Sequence, residues 1–310
     1  RRQRQMCIRD RVTGKKLDGS LAMIGGWQNN RPSKMHPVYR MIENVFEELD
    51  VPGEWYFDAK KGILHYMPEK DTDMDNAVVE IVLLENLIHL AGTQKAPVRN
   101  VHIDGLKFTH TARTFMKNKE PLLRSDWTVY RNGTILFEGA ENCSVTNCEF
   151  DQVGGNTIVV SNYNKGITVR SCYIHDSGAN GVVFVGNPAA VRSPLYGYVR
   201  QDYSRIDRTP GPDGNDFPQE CRVEDCLITR TGRHEKQTAP VQISMSYRIT
   251  VSHCSIYDVP RAGINISEGT FGGHVIEYCD VFNTVLETGD HGSFNSWGRD
   301  RYWPPDVNTV

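Results

Sequence analysis

Val169-Arg170-Ser171-Cys172-Tyr173-Ile174 is one of five copies of a six-residue phrase: an aliphatic residue, any residue, a polar turn former, Cys, any residue, then an aliphatic or Phe. The others are Val145-Thr146-Asn147-Cys148-Glu149-Phe150, Val223-Glu224-Asp225-Cys226-Leu227-Ile228, Val251-Ser252-His253-Cys254-Ser255-Ile256 and Ile276-Glu277-Tyr278-Cys279-Asp280-Val281. Their cysteines are separated by 24, 54, 28 and 25 residues. A period near that length signals stacked coils, and the gap of 54 is two units or one unit with a large insertion. Apolar or small side chains alternate within each phrase, as a strand with one buried face requires. A polar turn and a second apolar run follow, at residues 158–160, 182–184, 241–243 and 263–266. The unit is too short to hold a crossover helix, so its apolar residues are buried only by stacking unit on unit. The chain therefore reads as all-β, a right-handed parallel β-helix, with a small N-terminal helix and β-hairpin segment beside it.

Composition agrees. The chain has 310 residues, 39% of them hydrophobic, enough for a long core, and 27 Gly with 15 Pro suit many turns. A net charge of -3 with no Lys/Arg run argues against a nucleic-acid partner, and no apolar run is long enough for a membrane span. Five of the eight cysteines share one inward position, and Cys143 and Cys221 fall in a column that Ile167 and Ile249 fill elsewhere. This reads as a ladder of free thiols.

Three segments follow. Met6-Cys7-Ile8-Arg9-Asp10 is what a common sequencing-library adapter encodes, so residues 1–11 are expected to be non-native. Residues 12–80 carry an expected helix over residues 37–49, from the spacing of Val38, Ile42, Val45, Phe46 and Leu49, and an expected hairpin over residues 54–67. Residues 81–310 are the β-helix, with an insertion at 186–219 and no closing cap before Val310, as in a fragment of a longer enzyme. Val101 to Phe108 is a degenerate phrase in which Leu106 replaces Cys.

Function is sought where the rungs lose their regularity. Five residues separate Asp176 from Gly181 and Asp258 from Gly263, but nine separate Asn283 from Gly292, and His234-Glu235-Lys236-Gln237-Thr238 stretches the equivalent place. Two insertions on one edge make a wall. The insertion at 186–219 carries Tyr196, Tyr198 and Tyr203 with several Arg and Asp, a composition suited to stacking on sugars. Alignment on the strand glycine puts Asp290 over Arg261 and His291 over Ala262. An Asx turn is the reading for Asp176 and Asp258. His291 either orients Asp290, binds a hydroxyl or acts as a base, and Trp297 and Trp303 either cover the helix edge or form a sugar platform. No His and Cys spacing fits zinc, and Asp213-Gly214-Asn215-Asp216 reads as a turn rather than a calcium loop. Neither a metal nor another cofactor is expected.

Gly289-Asp290-His291-Gly292 through Asn295-Ser296-Trp297-Gly298-Arg299-Asp300, the hairpin Pro52-Gly53-Glu54-Trp55-Tyr56-Phe57-Asp58 and the cysteine coils resemble the β-helical enzymes of glycoside hydrolase family 141, over about residues 18 to 303. The resemblance implies a secreted or periplasmic enzyme acting on plant cell-wall polysaccharide, an exo-acting α-L-fucosidase or a xylanase, with a catalytic pair of aspartates. Asp290 carries over as one carboxylate. Its partner is Glu235 on rung spacing, or lies beyond Val310. His291, Arg261, Asn295, Trp297, Arg299, Trp303, Tyr203 and His234 are the expected sugar contacts. β-Helices of this kind are expected to be monomers. Two other readings stay open: a polysaccharide lyase using Arg261, Lys236 or Arg233, and a noncatalytic carbohydrate-binding repeat protein.

Overall fold

The computed structural model describes residues 10–25, 43–117, 120–123, 127–193, 202–268 and 271–296. The chain divides into two compact units, residues 34–82 and the remainder. In the smaller unit Trp55–Asp58 pairs antiparallel with Ile63–Tyr66, as expected from the alternation. The Asp58 carboxylate accepts from the amides of Lys60 and Lys61, closing the turn. The helix expected over residues 37–49 is not formed in its described part, which holds only the 3-10 turn Phe46–Glu48; residues 37–42 lie outside the described residues. Asn44 takes a left-handed conformation (φ 62°) and uses its side chain to accept from the Phe57 amide, which ends any helical run before it starts.

In the larger unit Asp10–Lys15 and Leu21–Gly25 form an antiparallel pair that includes Asp10 and Arg11, two of the residues set aside above. The rest winds into a right-handed parallel β-helix with three faces. The first sheet stacks Ile88–Ala91, Gly133–Glu141, Asn156–Lys165, Val182–Val185, Val241–Ser244, Ile264–Glu268 and Phe294–Ser296. The second stacks His102–Asp104, Ser144–Thr146, Thr168–Arg170, Arg222–Glu224, Thr250–Ser252 and Val275–Glu277, and the third Lys107–Thr109, Glu149–Asp151, Tyr173–His175, Leu227–Thr229, Ser255–Tyr257 and Asp280–Phe282. Every pairing along the three stacks is parallel, and the register shifts in only two of them, between Glu138 and Ala140 and between Ile243 and Ser244. No helix among the described residues is long and apolar enough to cross a membrane.

Each phrase is a second-sheet strand, a corner and a third-sheet strand. The turn former at its third position makes the corner: Asn147, Ser171, Asp225, His253 and Tyr278 all have φ between 51° and 54°, and Gly105 takes their place in the first coil. One left-handed residue reverses the pleat, so the next residue points inward and is the cysteine. The Sγ of Cys148, Cys172, Cys226, Cys254 and Cys279 each points at a main-chain carbonyl of the coil below, 3.6–3.8 Å away. All seven described cysteines are free. Burial pushes the Cys221 thiol up to about 12, as befits inert packing groups. Inward aliphatics from all three sheets complete the core, where each fully buried side chain is worth about 1.5–3 kcal/mol.

The outer face of the first sheet has a second core. Leu136, Val159, Val183 and Val185 point outward and are covered by a short hairpin arm, Glu120–Pro121 paired with Thr128–Val129, whose Leu122, Leu123, Trp127 and Val129 lie on them. The described part of the insertion contributes Ala190, Val191 and Phe217, the last packed on Phe271 at 4.2 Å. Arg131 anchors the arm. Its guanidinium forks onto Glu120 at 2.8–2.9 Å and also donates to Ser161 Oγ, Asn162 Oδ1 and the carbonyls of Val185 and Gly186.

Candidate functional site

Outward positions of the first sheet run His89, Leu136, Val159, Val183, Gln242, Asn265 and Asn295 in successive coils. The column changes from aliphatic to amide after Val183. Asn265 Nδ2 donates to Gln242 Oε1 at 2.7 Å, and Asn295 Nδ2 donates to Asn265 Oδ1 at 2.6 Å. Ser244 and Ser267 join the same network through Gln242 Nε2, at 2.9 and 2.5 Å. Gln242, Asn265, Ser244 and Ser267 are all buried. A cross-coil amide ladder satisfies its own members, so buried polar surface persists where aliphatic residues stacked in the earlier coils.

The corners feeding this half of the sheet are the long ones. Register pairs Gly181, Pro240, Gly263 and Ser293 in one column, so the corners from Arg230 and from Asn283 each run ten residues where those from Asp176 and Asp258 run five. The corner after Asn283 lies on the preceding one: the amides of Val285, Glu287 and Thr288 donate to the carbonyls of Arg261 and Pro260. Lys236 Nζ donates to Glu287 at 2.8 Å, tying the two long corners together across the short one between them. The expected wall exists, and the lysine available to a lyase is engaged in it.

The expected alignment of Asp290 over Arg261 is corrected by one residue. Ile264 pairs with Phe294, the Ile264 amide donates to the Ser293 carbonyl at 3.0 Å, and His291 is therefore the residue above Arg261. Spacing on the glycine failed because Gly263 is opposed by Ser293, not by Gly292. Arg261 is 3% exposed, and its Nε donates to His291 Nδ1 at 2.7 Å. That bond consumes the Nδ1 lone pair and leaves the ring hydrogen on Nε2, a neutral donor tautomer. His291 holds a left-handed backbone (φ 93°), a strained position for a non-glycine residue. Asp290 is exposed beside it, and its Oδ1 accepts from the His291 amide at 3.1 Å.

Sequence reasoning missed Trp127. The arm carries it to this corner: its ring centroid is 5.4 Å from that of His291, and the Arg261 guanidinium carbon lies over it at 5.6 Å. The amide column was also missed, except for Asn295, although Gln242 and Asn265 alternate visibly with buried Val241, Ile243, Ile264 and Ile266.

The remaining expected site residues are dispersed. Glu235 and His234 lie in the long corner two coils below Asp290, their amides both donating to the Gly178 carbonyl; Glu235 is buried and His234 half-buried. Tyr203 lies on the 3-10 turn Tyr203–Arg205 of the insertion, which Asp202 caps. The insertion's described polar groups serve its own structure: Arg192 holds Asp207 and the carbonyls of Gly211 and Pro212. Asp216 accepts from Asn187 and from the Tyr163 amide, using the acidic stretch 213–216 as a turn. Trp297, Arg299 and Trp303, with Tyr196 and Tyr198, lie outside the described residues.

Two other polar groupings flank the helix. On the third sheet Glu149, Asp151 and His175 have metal-ligand spacing, but Lys107 Nζ already pairs with both carboxylates, at 2.8 and 3.3 Å. Beside them Asp176 accepts from His175, Arg230 and Arg233. Burial would raise its pKa, but hydrogen bonds from Arg230, then His175 and Arg233, outweigh this and hold the carboxyl well below the usual range. On the outer face of the first sheet, at its opposite end, a cleft of about 490 Å³ is lined by His89, Lys117, Glu120, Tyr130, Arg131 and Leu136 among others. Its charged side chains have ionic partners, Glu120 with Arg131 and Lys117 with Glu85, and His89 Nε2 is bonded to Glu138.

A family model described as "Right handed beta helix region" matches residues 86–192. No curated protein matches the chain. A solved structure named "Glycoside hydrolase" is similar with a TM-score of 0.51 and 18% sequence identity, over 89% of this chain and 52% of that one. The chain thus spans about half the length of that protein, and at this identity the likeness is one of fold: a right-handed parallel β-helix.

Proposed function

We propose that the chain is the β-helical part of a glycoside hydrolase acting on plant cell-wall polysaccharide, an α-L-fucoside or a xylan, outside the cytoplasm. The observation that carries this reading is the change on the first sheet from an aliphatic face to an amide and hydroxyl ladder. That change coincides with the two long corners and with the Arg261–His291–Trp127 cluster. Amides and hydroxyls that both donate and accept suit sugar hydroxyls. The resemblance to family 141 and the fold likeness to a glycoside hydrolase point the same way.

Hydrolysis of a glycoside takes two carboxyl groups, about 5–5.5 Å apart for retention and about 6.5–9.5 Å for inversion. Strands of neighbouring coils are about 4.8 Å apart. Glu235 and Asp290 sit in corners two coils apart, which favours the wider spacing and inversion. Asp290, exposed, takes the role of activating water; Glu235, enclosed, that of protonating the leaving oxygen. His291 presents Nε2–H as a donor rather than a base, because Arg261 occupies its other nitrogen.

The test is monosaccharide release from fucosylated pectin and from xylan by the complete open reading frame. Release of fucose or xylose supports the reading. An unsaturated product would indicate a lyase, and binding without release a carbohydrate-binding repeat.

A further inference from the structure

Trp127 is 1% exposed, and its indole N–H has no hydrogen-bond partner. Buried donors are nearly always paired, so an orphan beside a candidate site marks a place that another molecule fills. Indole nitrogen donates only, and an acceptor alone satisfies it. The neighbouring groups do not supply one: a guanidinium has no acceptor, and His291 Nδ1 already accepts from Arg261 Nε. The arm that delivers this donor is held by the seven hydrogen bonds of Arg131 and by the Leu122 amide donating to the Trp127 carbonyl at 2.9 Å, so Trp127 is placed by a built scaffold.

We propose that Trp127 is a substrate-binding residue of this site. Its N–H donates to a hydroxyl oxygen of a sugar unit bound at the edge of the arm, beside the corner that carries His291, while its ring keeps Arg261 and His291 in place. The proposal rests on the glycosidase reading above. A neutral sugar oxygen fits because the side chains that share this face with the cluster, Gln242, Asn265 and the half-buried Asn295, are uncharged hydrogen-bonding amides. A trapped water would satisfy the same donor, and that alternative leaves substrate affinity indifferent to the N–H.

Trp127→Phe removes the N–H and keeps a ring under Arg261. In the complete enzyme, calorimetric Kd and KM for xylan-derived or fucosylated pectin-derived oligosaccharides are expected to rise about 5–10-fold, the worth of one neutral hydrogen bond. The melting temperature is expected to fall modestly, since the smaller ring leaves a cavity whose cost the loss of an unsatisfied buried donor offsets only in part, with the β-helix retained. Wild-type affinity in Trp127→Phe overturns the proposal. Binding of neither oligosaccharide by the wild-type enzyme overturns both the proposal and the glycosidase reading. Weakened binding in Trp127→Phe with undiminished turnover in Asp290→Asn supports Trp127 and overturns only the carboxylate assignment.

Discussion

Arg131→Met should release the arm. The Arg131 side chain is 19% exposed, and its guanidinium makes a forked ion pair with Glu120, plus bonds to Ser161, Asn162 and the carbonyls of Val185 and Gly186. Met keeps the length of the stem and removes every donor. Glu120 is 37% exposed and can rehydrate, so its ion pair accounts for no more than about 1 kcal/mol. The larger loss comes from the two carbonyls, each left without this donor under the arm at about 1–2 kcal/mol, because buried acceptors lose a partner that water does not replace. The sum is about 3 kcal/mol, a large part of the 5–15 kcal/mol typical of a domain. Urea denaturation should show the midpoint falling at constant slope. Hydrogen exchange should report the Leu122 amide, bonded to the Trp127 carbonyl, losing protection before amides of the cysteine coils. Arg131→Lys should recover little, since an ammonium cannot fork. A loss below about 1 kcal/mol, or Leu122 protection unchanged, would refute the arm's dependence on this residue.

Acid should weaken the fold in two separate windows. Burial lowers the His274 pKa to about 4, and its Nε2 lies buried without a partner. The unfolded chain, with an ordinary value near 6.5, binds the proton first, so stability falls as pH drops from about 6.5 to 4 by about 2–3 kcal/mol. His274→Ile, matching Ile167 and Ile249 in the same column, should flatten the melting profile over that range, and an unchanged slope would contradict the assignment. Asp176 acts lower down: its depressed carboxyl contributes stability that is complete above about pH 4 and lost as pH falls further. Asp176→Asn should cost about 2 kcal/mol at neutral pH, read by urea titration, and remove that second loss. At Gly263 a Cβ would meet Val281 Cγ1 at 2.3 Å and the Ser293 carbonyl at 2.6 Å, so Gly263→Ala should lower the melting temperature and shift the His291 ring resonances. A variant with unchanged melting and spectrum would show that the long corner yields freely.

The sequence makes the coils legible because their determinants are local. One left-handed corner residue and one inward cysteine recur within six positions, and the corner residues are those that tolerate φ near 53° or are held by stacking, as His253 and Tyr278 are, 5.0 Å apart. The same locality explains what was not legible. The arm is two strands of two residues each, too short for any alternation, and its anchor Arg131 acts only through partners in other coils or across the hairpin. Trp127 meets Arg261 and His291 across more than a hundred residues of chain, which no spacing rule reaches. A glycine does not mark the register in a corner whose length changes: Gly263 is opposed by Ser293, which puts His291 and not Asp290 above Arg261. The amide column was visible as alternation, but its cross-coil hydrogen bonds depend on register between residues more than twenty positions apart.

Turnover by Asp290→Asn and Glu235→Gln, beside the wild-type complete enzyme, tests the account most directly, with circular dichroism and melting to confirm that each variant keeps the β-helix. The account expects release of fucose or xylose to fall by more than about a hundredfold in Asp290→Asn, as loss of an essential acid or base does, with the fold intact. Undiminished release by a folded Asp290→Asn enzyme would contradict it and move the chemistry away from the corner that Arg261, His291 and Trp127 build.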